Sequence, residues 1–522
     1  MDKKNRLIQV MSISTAIAMS QVMAANAQQV AQENDARSTT EEIIKPAQPS
    51  VRDVNNLNPS GNPLSFPTAP EEVKVDAQKP ITLEQALELS LKNNKDIEQA
   101  RLEVERAEFA LRQEKAALFP TLDLTSSLTY GNSLFLDSVI EQSIDEDVEE
   151  ALEANPDLDE ELVRENAEDR FTNSSSSSFD FNGGLGINYD IFTSGRRGAE
   201  IRSAEKQLRL EKLDLERIVE EARFETSRDY YDLQNNDAQV EIQEASVEDA
   251  QQTLKDAQLL ERAGLGTRFD VLRAEVELAQ AEQRRTTAIA NQNIARRQLA
   301  ETLSVAHSTE LATADAIEEA GVWELELPAT IIQAFKNRAE LEQFLLQREI
   351  SQEQRTIALS NVRPTVSASA NYTVNDDFED NFDISDSYNV GVNLQWRLFD
   401  GGAARAGARQ AEKDLEIAET QFANQRNQIR FAVEQAFFQL KSNQNNIATA
   451  TKEVELAEES LRLARLRFQA GVGTQTDVIE AQTSLTTSRG NLLSSITDYN
   501  QSFAALNRQV SNTPDNGLQD LP

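Results

Sequence analysis

The chain has 522 residues and a net charge of −37, because 88 Asp and Glu residues outnumber 51 Lys and Arg residues. A chain this acidic repels phosphate backbones, so nucleic acid is not an expected partner. The absence of Cys excludes disulfides, thiolate metal sites and a lipidated Cys, and the single histidine, His307, excludes a site of several imidazoles.

The N-terminus carries the pattern of a secretory signal peptide, which we predict for residues 1–27. A basic start with Lys3 and Lys4 precedes a mostly apolar stretch from Leu7 to Ala18, and small residues up to Ala27 permit cleavage. No stretch approaches the ~20 apolar residues that a membrane-spanning helix needs. We therefore expect an exported protein, destined for the periplasm, for secretion or for an outer membrane β-barrel.

A stretch rich in proline, asparagine, glutamine and serine comes next. Residues 28–80 hold seven of the 13 prolines, and such a stretch buries too little apolar surface to offset the entropy lost on ordering. We predict that residues 28–80 form a disordered lead-in and that residues 511–522 form a disordered tail.

The rest of the sequence is an internal duplication. We assign the two copies to residues 81–304 and 331–510, joined by a link at 305–330. The copies align at a shift of 244 positions near their starts and of 207 positions near their ends. The first copy therefore carries 37 additional residues, which lie in an acidic loop at about 131–178. We expect this loop to be solvated and disordered to helical.

Each copy contains two segments in which apolar and polar residues alternate, the pattern of a β-strand. These segments run from Leu122 to Tyr130, Phe179 to Ile191, Val366 to Val374 and Tyr388 to Leu398. Their lengths suit strands that cross a bilayer at a tilt, although a soluble sandwich gives the same alternation.

Each copy also contains a very long helical segment without proline, from Arg196 to Ala263 and from Ala403 to Ala470. At 1.5 Å per residue each helix reaches roughly 100 Å, far beyond a globular helix. The flanking helices are about half as long, so two of them can stack end to end along one long helix. We predict the flanking helices at 83–118, 267–304, 331–362 and 474–510.

These elements predict a mainly α fold with a membrane β-barrel portion. Each copy is a helix-strand-strand-helix-helix unit whose helices form a bundle of two rods, with the hairpin at one end and the strands at the other. Four strands per chain cannot close a β-barrel, and an open sheet edge is not tolerated in lipid. If the strands enter a membrane, several chains must therefore share one barrel.

The order and spacing of several motifs resemble TolC-type outer membrane efflux proteins over about residues 81–510. The motifs are ITLEQALELSLKNNKDIEQARLEVERAE at the start, FPTL before the first strand, YDIFTSGRR and WRLFDGG at the strand-to-helix junctions, and RAGLGTRFDVLRAE and QAGVGTQTDVIEAQ at the hairpins. The resemblance implies a homotrimer with a 12-stranded barrel in the outer membrane of a Gram-negative bacterium, and an α-helical barrel that crosses the periplasm.

The resemblance also implies a passive exit channel of a tripartite efflux or type I secretion system. The implied partners are a periplasmic adaptor protein, an inner membrane pump or transporter, and outer membrane lipids. The hairpin turns would form the periplasmic tip that contacts the adaptor, although their glycines also serve turns that need positive φ. The implied adaptor-contacting residues are Gly264, Leu265, Gly266, Thr267, Gly471, Val472, Gly473 and Thr474.

Two carboxylates, Asp477 and Glu480, match the pore constriction of the family, and their spacing puts them on one helix face. In a trimer each would form a ring of negative charge that attracts cations. The family has Asp at the second position, so Glu480 departs from its pattern. Asp270, the first-copy counterpart of Asp477, resembles residues that latch the closed tip, whereas Arg273 replaces an acid. Alternatively, these carboxylates are solvated charges that the helix dipole favours.

Two functions of other classes compete with a channel. A soluble periplasmic coiled-coil scaffold would explain the helices and the acidity, but not the four alternating strands. An enzyme is not expected, because no motif brings a nucleophile, a base and an orienting group together. We accordingly predict no catalytic residue, no cofactor and no metal site.

Overall fold

The computed structural model describes residues 76–132, 134–171, 177–305, 309–377 and 384–511, together with Thr68. The predicted signal peptide, most of the predicted lead-in, the end of the predicted tail and His307 lie outside the described residues.

Helices dominate the described part of the chain, and a few strands interrupt them. The helices are α1 (Leu83–Asn93), α2 (Lys95–Ala116), α3 (Leu134–Ala154), α4 (Glu160–Phe171), α5 (Arg196–Arg262), α6 (Arg268–Thr302), α7 (Leu327–Asn337), α8 (Ala339–Ser360), α9 (Ala403–Gln469) and α10 (Gln475–Val510). The strands are β1 (Asp76–Ile81), β2 (Thr121–Asn132), β3 (Ser177–Phe192), β4 (Thr309–Thr313), β5 (Thr365–Asp377) and β6 (Ser385–Gln395).

The two long helices organise the fold. Helices α5 and α9 each contain 67 residues, which corresponds to roughly 100 Å. In the first copy α2 and α6 pack along α5, and in the second copy α8 and α10 pack along α9. Two half-length helices therefore line one long helix in each copy, as the sequence predicts.

The first half-length helix of each copy is interrupted, where the sequence predicts one continuous helix. In the first copy the break falls at Asn94, whose side-chain oxygen accepts hydrogen bonds from the N–H groups of Asp96 (2.9 Å) and Ile97 (3.2 Å). A side chain that caps the next helix competes with continuation of the previous one. In the second copy the break falls at the corresponding residue, Arg338.

The two copies pack against each other through α5 of the first copy and α8 and α10 of the second. Arg202 on α5 forms a two-pronged ion pair with Glu353 on α8, at 3.0 and 2.7 Å. Nearer the hairpins, Arg465 on α9 pairs with Asp249 on α5 at 2.8 Å. Apolar clusters of small and branched side chains fill the space between the helices.

Strands β2, β3, β5 and β6 form one antiparallel sheet in that order. One face is apolar and largely exposed, and the opposite face is polar. Side by side across the apolar face lie Leu122, Ile187, Ala370 and Val390, followed by Leu124, Leu185, Tyr372 and Tyr388. Across the polar face lie Asp123, Gly186, Asn371 and Asn389, followed by Thr125, Gly184, Thr373 and Ser387.

The end of the predicted lead-in is ordered, which corrects the prediction of disorder at residues 76–80. Strand β1 pairs in parallel with β4, which lies in the predicted link between the copies. Ile81 at the end of β1 is buried, and its carbonyl accepts a hydrogen bond from the Tyr230 hydroxyl at 3.1 Å. The partner strand is remote in sequence, so local composition does not reveal the pairing.

The acidic insertion contains a pair of helices, α3 and α4. Ile144, Val148 and Ala167 form a small buried cluster between them. Arg164 and Asp145 join the two helices by an ion pair of 2.6 Å. The insertion therefore has a small core of its own.

None of the helices in the described part of the chain is long and apolar enough to span a membrane.

Candidate functional site at the helical hairpins

Each long helix ends in a tight turn that reverses the chain, and the first turn connects α5 to α6. Gly264 has a φ of +72°, a left-handed conformation that favours glycine. The N–H groups of Leu265 and Gly266 both donate to the carbonyl oxygen of Leu260, at 2.9 and 3.1 Å. These bonds give the Leu260 carbonyl group the hydrogen-bond donors that it lacks at the end of α5.

The second turn, between α9 and α10, repeats this geometry. Gly471 also has a φ of +72°, and the N–H groups of Val472 and Gly473 both donate to the carbonyl of Arg467 at 3.0 Å. A Cβ added to Gly473 would lie 3.1 Å from backbone and side-chain carbon atoms of Arg467. The turn therefore requires glycine at both positions, at Gly471 because of its positive φ and at Gly473 because of the close contact.

The helices that leave the turns begin with matched capping boxes. In the first hairpin the Thr267 N–H donates to Asp270 Oδ2 at 2.9 Å, and the Asp270 N–H donates to Thr267 Oγ1 at 3.3 Å. In the second hairpin the Thr474 N–H donates to Asp477 Oδ2 at 2.8 Å, and the Asp477 N–H donates to Thr474 Oγ1 at 3.2 Å. The two predicted carboxylates, Asp270 and Asp477, thus have a structural role in their helix starts. The Thr-x-x-Asp spacing in the sequence carries the signal for this role.

Asp477 remains charged at neutral pH and reaches solvent. Hydrogen bonds from the backbone and side chain of Thr474, with a smaller effect of the Arg467 charge, lower the pKa of its exposed carboxyl. Glu480 is exposed one turn later and makes no hydrogen bond or ion pair with the described residues. Val478 and Ile479 between them are buried. The structure thus brings Asp477 and Glu480 together on one exposed face of α10, and Asp270 lies on the other hairpin.

Large apolar side chains at the hairpin turns are exposed. Leu265 has 80% and Val472 has 70% of its surface accessible, and Phe269 on the first turn of α6 is also exposed. Each hairpin end therefore exposes apolar side chains to solvent, as protein interaction sites often do.

Contacts between the copies hold the second hairpin to the first. Besides the Arg465–Asp249 pair, Gln482 on α10 donates to Thr253 Oγ1 on α5 at 3.0 Å. Both side chains of this hydrogen bond are buried. These partners are more than 200 positions apart in the chain, so no local sequence pattern predicts their contact.

The sequence profile of the outer membrane efflux protein family matches residues 86–304 and 330–510. The chain belongs to this family. The two matched ranges correspond to the two copies of the duplication, and both hairpin sites lie within them.

Two curated relatives illustrate the similarity to members of the outer membrane efflux protein family. The outer membrane efflux protein BepC of Brucella suis biovar 1 (strain 1330) is 26% identical over 189 residues, which cover 36% of this chain and 41% of that protein. Protein CyaE of Bordetella pertussis is 31% identical over 100 residues, which cover 19% of this chain and 21% of that protein. The chain thus matches less than half the length of these relatives.

Solved structures match over a far greater length and show the same fold. CusC, whose structures are described in terms of folding and transmembrane channel formation, has a TM-score of 0.67 at 16% identity. The match covers 90% of this chain and 99% of CusC. The CmeC outer membrane channel of Campylobacter jejuni has a TM-score of 0.66 at 15% identity, with 87% and 94% covered. The predicted fold class, a long helical assembly joined to a β-barrel portion, is confirmed by these neighbours.

Proposed function

We propose that this protein is the outer membrane channel of a tripartite efflux or type I secretion system. It forms a homotrimer, which spans the outer membrane with a shared β-barrel and the periplasm with an α-helical barrel. Transport through it is passive, because the inner membrane pump or transporter supplies the energy. The observation that carries this proposal is the exposed apolar face of the four-stranded sheet at the end of the helical rods.

The sheet supports membrane insertion by two features. Its apolar face exposes side chains such as Leu124, Val390 and Val392, which water disfavours and lipid tails accept. Among the described strands, β2 pairs only with β3 and β6 pairs only with β5. Lipid does not tolerate these open edges, so the sheet requires further copies of the chain to close it.

The duplication supports self-association through the helices. Tyr231 on α5 is 8% exposed, whereas its counterpart Phe438 on α9 is 58% exposed. Phe224 on α5 is half-buried, whereas its counterpart Phe431 is exposed. The face of α9 that corresponds to the covered face of α5 thus lacks its cover.

The surface of the first copy that would cover α9 of another chain is also exposed within one chain. Ile479 on α10 is 6% exposed, whereas its counterpart Leu272 on α6 is 46% exposed. A second chain can therefore lay α2 and α6 of its first copy against α9. Such head-to-tail contacts form a ring when the rotation between chains closes, and three copies of the four-stranded sheet would then form one 12-stranded barrel.

The hairpin ends supply the surfaces for the remaining partners. Exposed apolar residues at both turns, including Leu265 and Val472, suit contact with a periplasmic adaptor protein. The exposed Asp477 and Glu480 suit rings of negative charge at the constriction of a trimer. Asp270 of the first hairpin would latch the closed tip.

The remaining segments complete the proposal. Residues 1–27 direct export, and residues 81–304 and 331–510 form the two repeats of the channel. The link at 305–330 joins them at the level of the β1–β4 pair. The acidic insertion lies at the far end of the first strand hairpin, which faces the outside of the cell.

The proposal is tested by detergent extraction of the outer membrane fraction, followed by native mass spectrometry and single-channel recording in a planar bilayer. We expect a trimer in the outer membrane fraction with discrete, cation-preferring conductance. A soluble periplasmic species without conductance would instead favour the coiled-coil scaffold and overturn the channel.

A further inference from the structure

A cavity of about 460 Å³ lies where the sheet of the second copy meets its long helix. It lies between the end of α8 and the beginning of α9, directly after β6. The lining residues include Ala358, Asn361, Arg397, Asp400, Ala404 and Gly407.

In the first copy an arginine of the chain itself fills the corresponding space. Arg197 Nη1 donates to the carbonyl oxygens of Asp190 at 2.7 Å and Ala117 at 3.2 Å. The Arg197 guanidinium lies 5.8 Å from the centre of the Tyr189 ring, within the range of a cation–π interaction. A cation therefore occupies this junction in the first copy.

The second copy keeps the walls of this space but lacks the arginine. Asn361 and Arg397 are the counterparts of Ala117 and Asp190, whose carbonyls hold the Arg197 guanidinium. The counterpart of Arg197 is Ala404, and two further small residues widen the space. These are Ala403 in place of Arg196 and Gly407 in place of Glu200.

The cavity carries one charge of each sign. Hydrogen bonds from the N–H groups of Ala404 (2.7 Å) and Gly402 (2.8 Å) lower the pKa of Asp400, so this carboxyl is ionised at neutral pH. Arg397 lines the same cavity. The pair matches a zwitterion that has a cationic and an anionic group.

Apolar and aromatic residues flank the cavity lining in the sequence at the end of the sheet, and one of them, Phe399, lines the cavity itself. Trp396 is the counterpart of Tyr189, and its indole Nε1 donates to the carbonyl of Val362 at 3.2 Å. Leu398 and Phe399 beside it are highly exposed. An amphipathic aromatic residue at this level is typical of the boundary between lipid tails and water.

We propose that this cavity binds the head group of an aminophospholipid, such as phosphatidylethanolamine, from the periplasmic leaflet of the outer membrane. The ammonium group takes the place of the Arg197 guanidinium near Asp400 and the ring of Trp396. The phosphate pairs with Arg397, and the acyl chains lie along Leu398 and the apolar sheet face. This inference rests on the proposed function, because it requires the sheet to lie in a membrane.

We expect packing between chains to leave the cavity open. Arg197 stays partly exposed although the second copy packs beside the first. By the same geometry, a neighbouring chain that covers α9 leaves the cavity of the second copy accessible from the membrane.

The test is native mass spectrometry of the delipidated full-length trimer titrated with phosphatidylethanolamine or phosphatidylglycerol. We expect one tightly bound phosphatidylethanolamine per chain, and at least tenfold weaker binding of phosphatidylglycerol, which has the phosphate but no ammonium. Ala404→Arg restores the first-copy arginine and should weaken phosphatidylethanolamine binding at least tenfold. Gln435→Arg adds the same charge at an exposed position of α9 and should bind as the unmodified protein does.

A second variant keeps the test independent of any misfolding of the first. Arg397→Gln removes the phosphate partner without filling the cavity, and we expect at least fivefold weaker binding. Equal binding of the two lipids, unchanged binding by Ala404→Arg, or equally tight binding of soluble glycerophosphoethanolamine would each overturn the lipid site. If such trimers still conduct ions, the channel function stands and only the lipid site fails.

Discussion

At the scale of single residues, the capping role of Asp477 is compatible with the role at a pore constriction that we propose for it. Asp477 caps α10 through Thr474, yet its carboxyl remains exposed, and Glu480 is exposed beside it. A capping carboxylate keeps its charge, because the hydrogen bonds that it accepts favour the ionised form. The same residue can thus begin a helix and contribute negative charge to a pore.

We expect the double substitution Asp477→Asn with Glu480→Gln to weaken the cation preference of the channel, because it removes two charges per chain from the constriction. Asn also caps helices, so the loss in stability should stay below about 1 kcal/mol. The reversal potential of single channels in a salt gradient measures the preference. Asp270→Asn is the matched control at the first hairpin and should leave selectivity nearly unchanged. Unaltered selectivity of the double variant would remove both residues from the pore constriction.

A buried carboxylate where the two copies meet contributes to pH dependence. Burial alone would raise the pKa of Glu340, but hydrogen bonds and charge from Arg338, with the charge of Arg508, lower it to about 2. Arg508 also pairs with Glu221 on α5 at 2.9 Å, which joins the two copies. Breaking one partner of such a buried cluster leaves the other charges uncompensated.

The lowered pKa predicts a loss of stability in acid. The contribution of Glu340 is fully present above the unfolded-state pKa of about 4.3 and disappears as the pH falls toward 2, on the order of 3 kcal/mol in total. Thermal melting of the trimer between pH 6 and 3 measures this dependence. Glu340→Gln should melt lower at pH 6 and show a shallower decline in acid. An equally steep decline in this variant would assign the acid sensitivity to other carboxyls.

At the scale of elements, the alternation of apolar and polar residues gives the sheet two different faces. Each strand places apolar side chains on one face and polar or small ones on the other, and the register keeps the faces consistent across four strands. A shift of one residue would exchange the faces. The alternating pattern and the register therefore specify the lipid-facing side together.

We expect Val390→Arg to destabilise the assembled channel by ~2–4 kcal/mol, because it places a charge on the apolar face at the middle of β6. Asn389→Arg puts the same charge on the polar face of the same strand and should cost less than about 1 kcal/mol. The temperature at which the trimer dissociates in detergent-free vesicles separates the two variants. Equal dissociation temperatures would contradict the assignment of the faces.

At the scale of the whole molecule, a comparison of the two copies within one chain predicts which surfaces contact neighbouring chains. Tyr231 and Ile479 are buried inside the chain, whereas their counterparts Phe438 and Leu272 are exposed. We expect these exposed faces to form the contact between neighbouring chains.

The substitution Phe438→Glu should prevent trimer formation and leave the helical content of the chain unchanged. It places a charge on the open face of α9, where burial of an unpaired carboxylate is costly. Native mass spectrometry and circular dichroism measure the two properties. Gln435→Glu is the matched control, because Gln435 and its counterpart Arg228 are both exposed. A trimer of normal stability in the Phe438 variant would show that this face has no partner chain.

The sequence by itself determined the features that repeat locally along the chain. The long helices, the four alternating strands and the glycine turns follow from periodicity and turn chemistry, which act over a few residues. The duplication was also evident, because the same order of motifs recurs at a constant shift. These features, with the family resemblance, were sufficient to predict the fold class.

Only the tertiary structure decided which remote residues meet. The β1–β4 pair, the Arg465–Asp249 link and the buried cluster around Glu340 join residues far apart in sequence, and no local pattern encodes such contacts. The breaks at Asn94 and Arg338 lie inside segments that periodicity assigns to single helices. The space that Arg197 fills in one copy and Ala404 leaves open in the other is likewise visible only in three dimensions, because its walls come from two segments that are separate in the sequence.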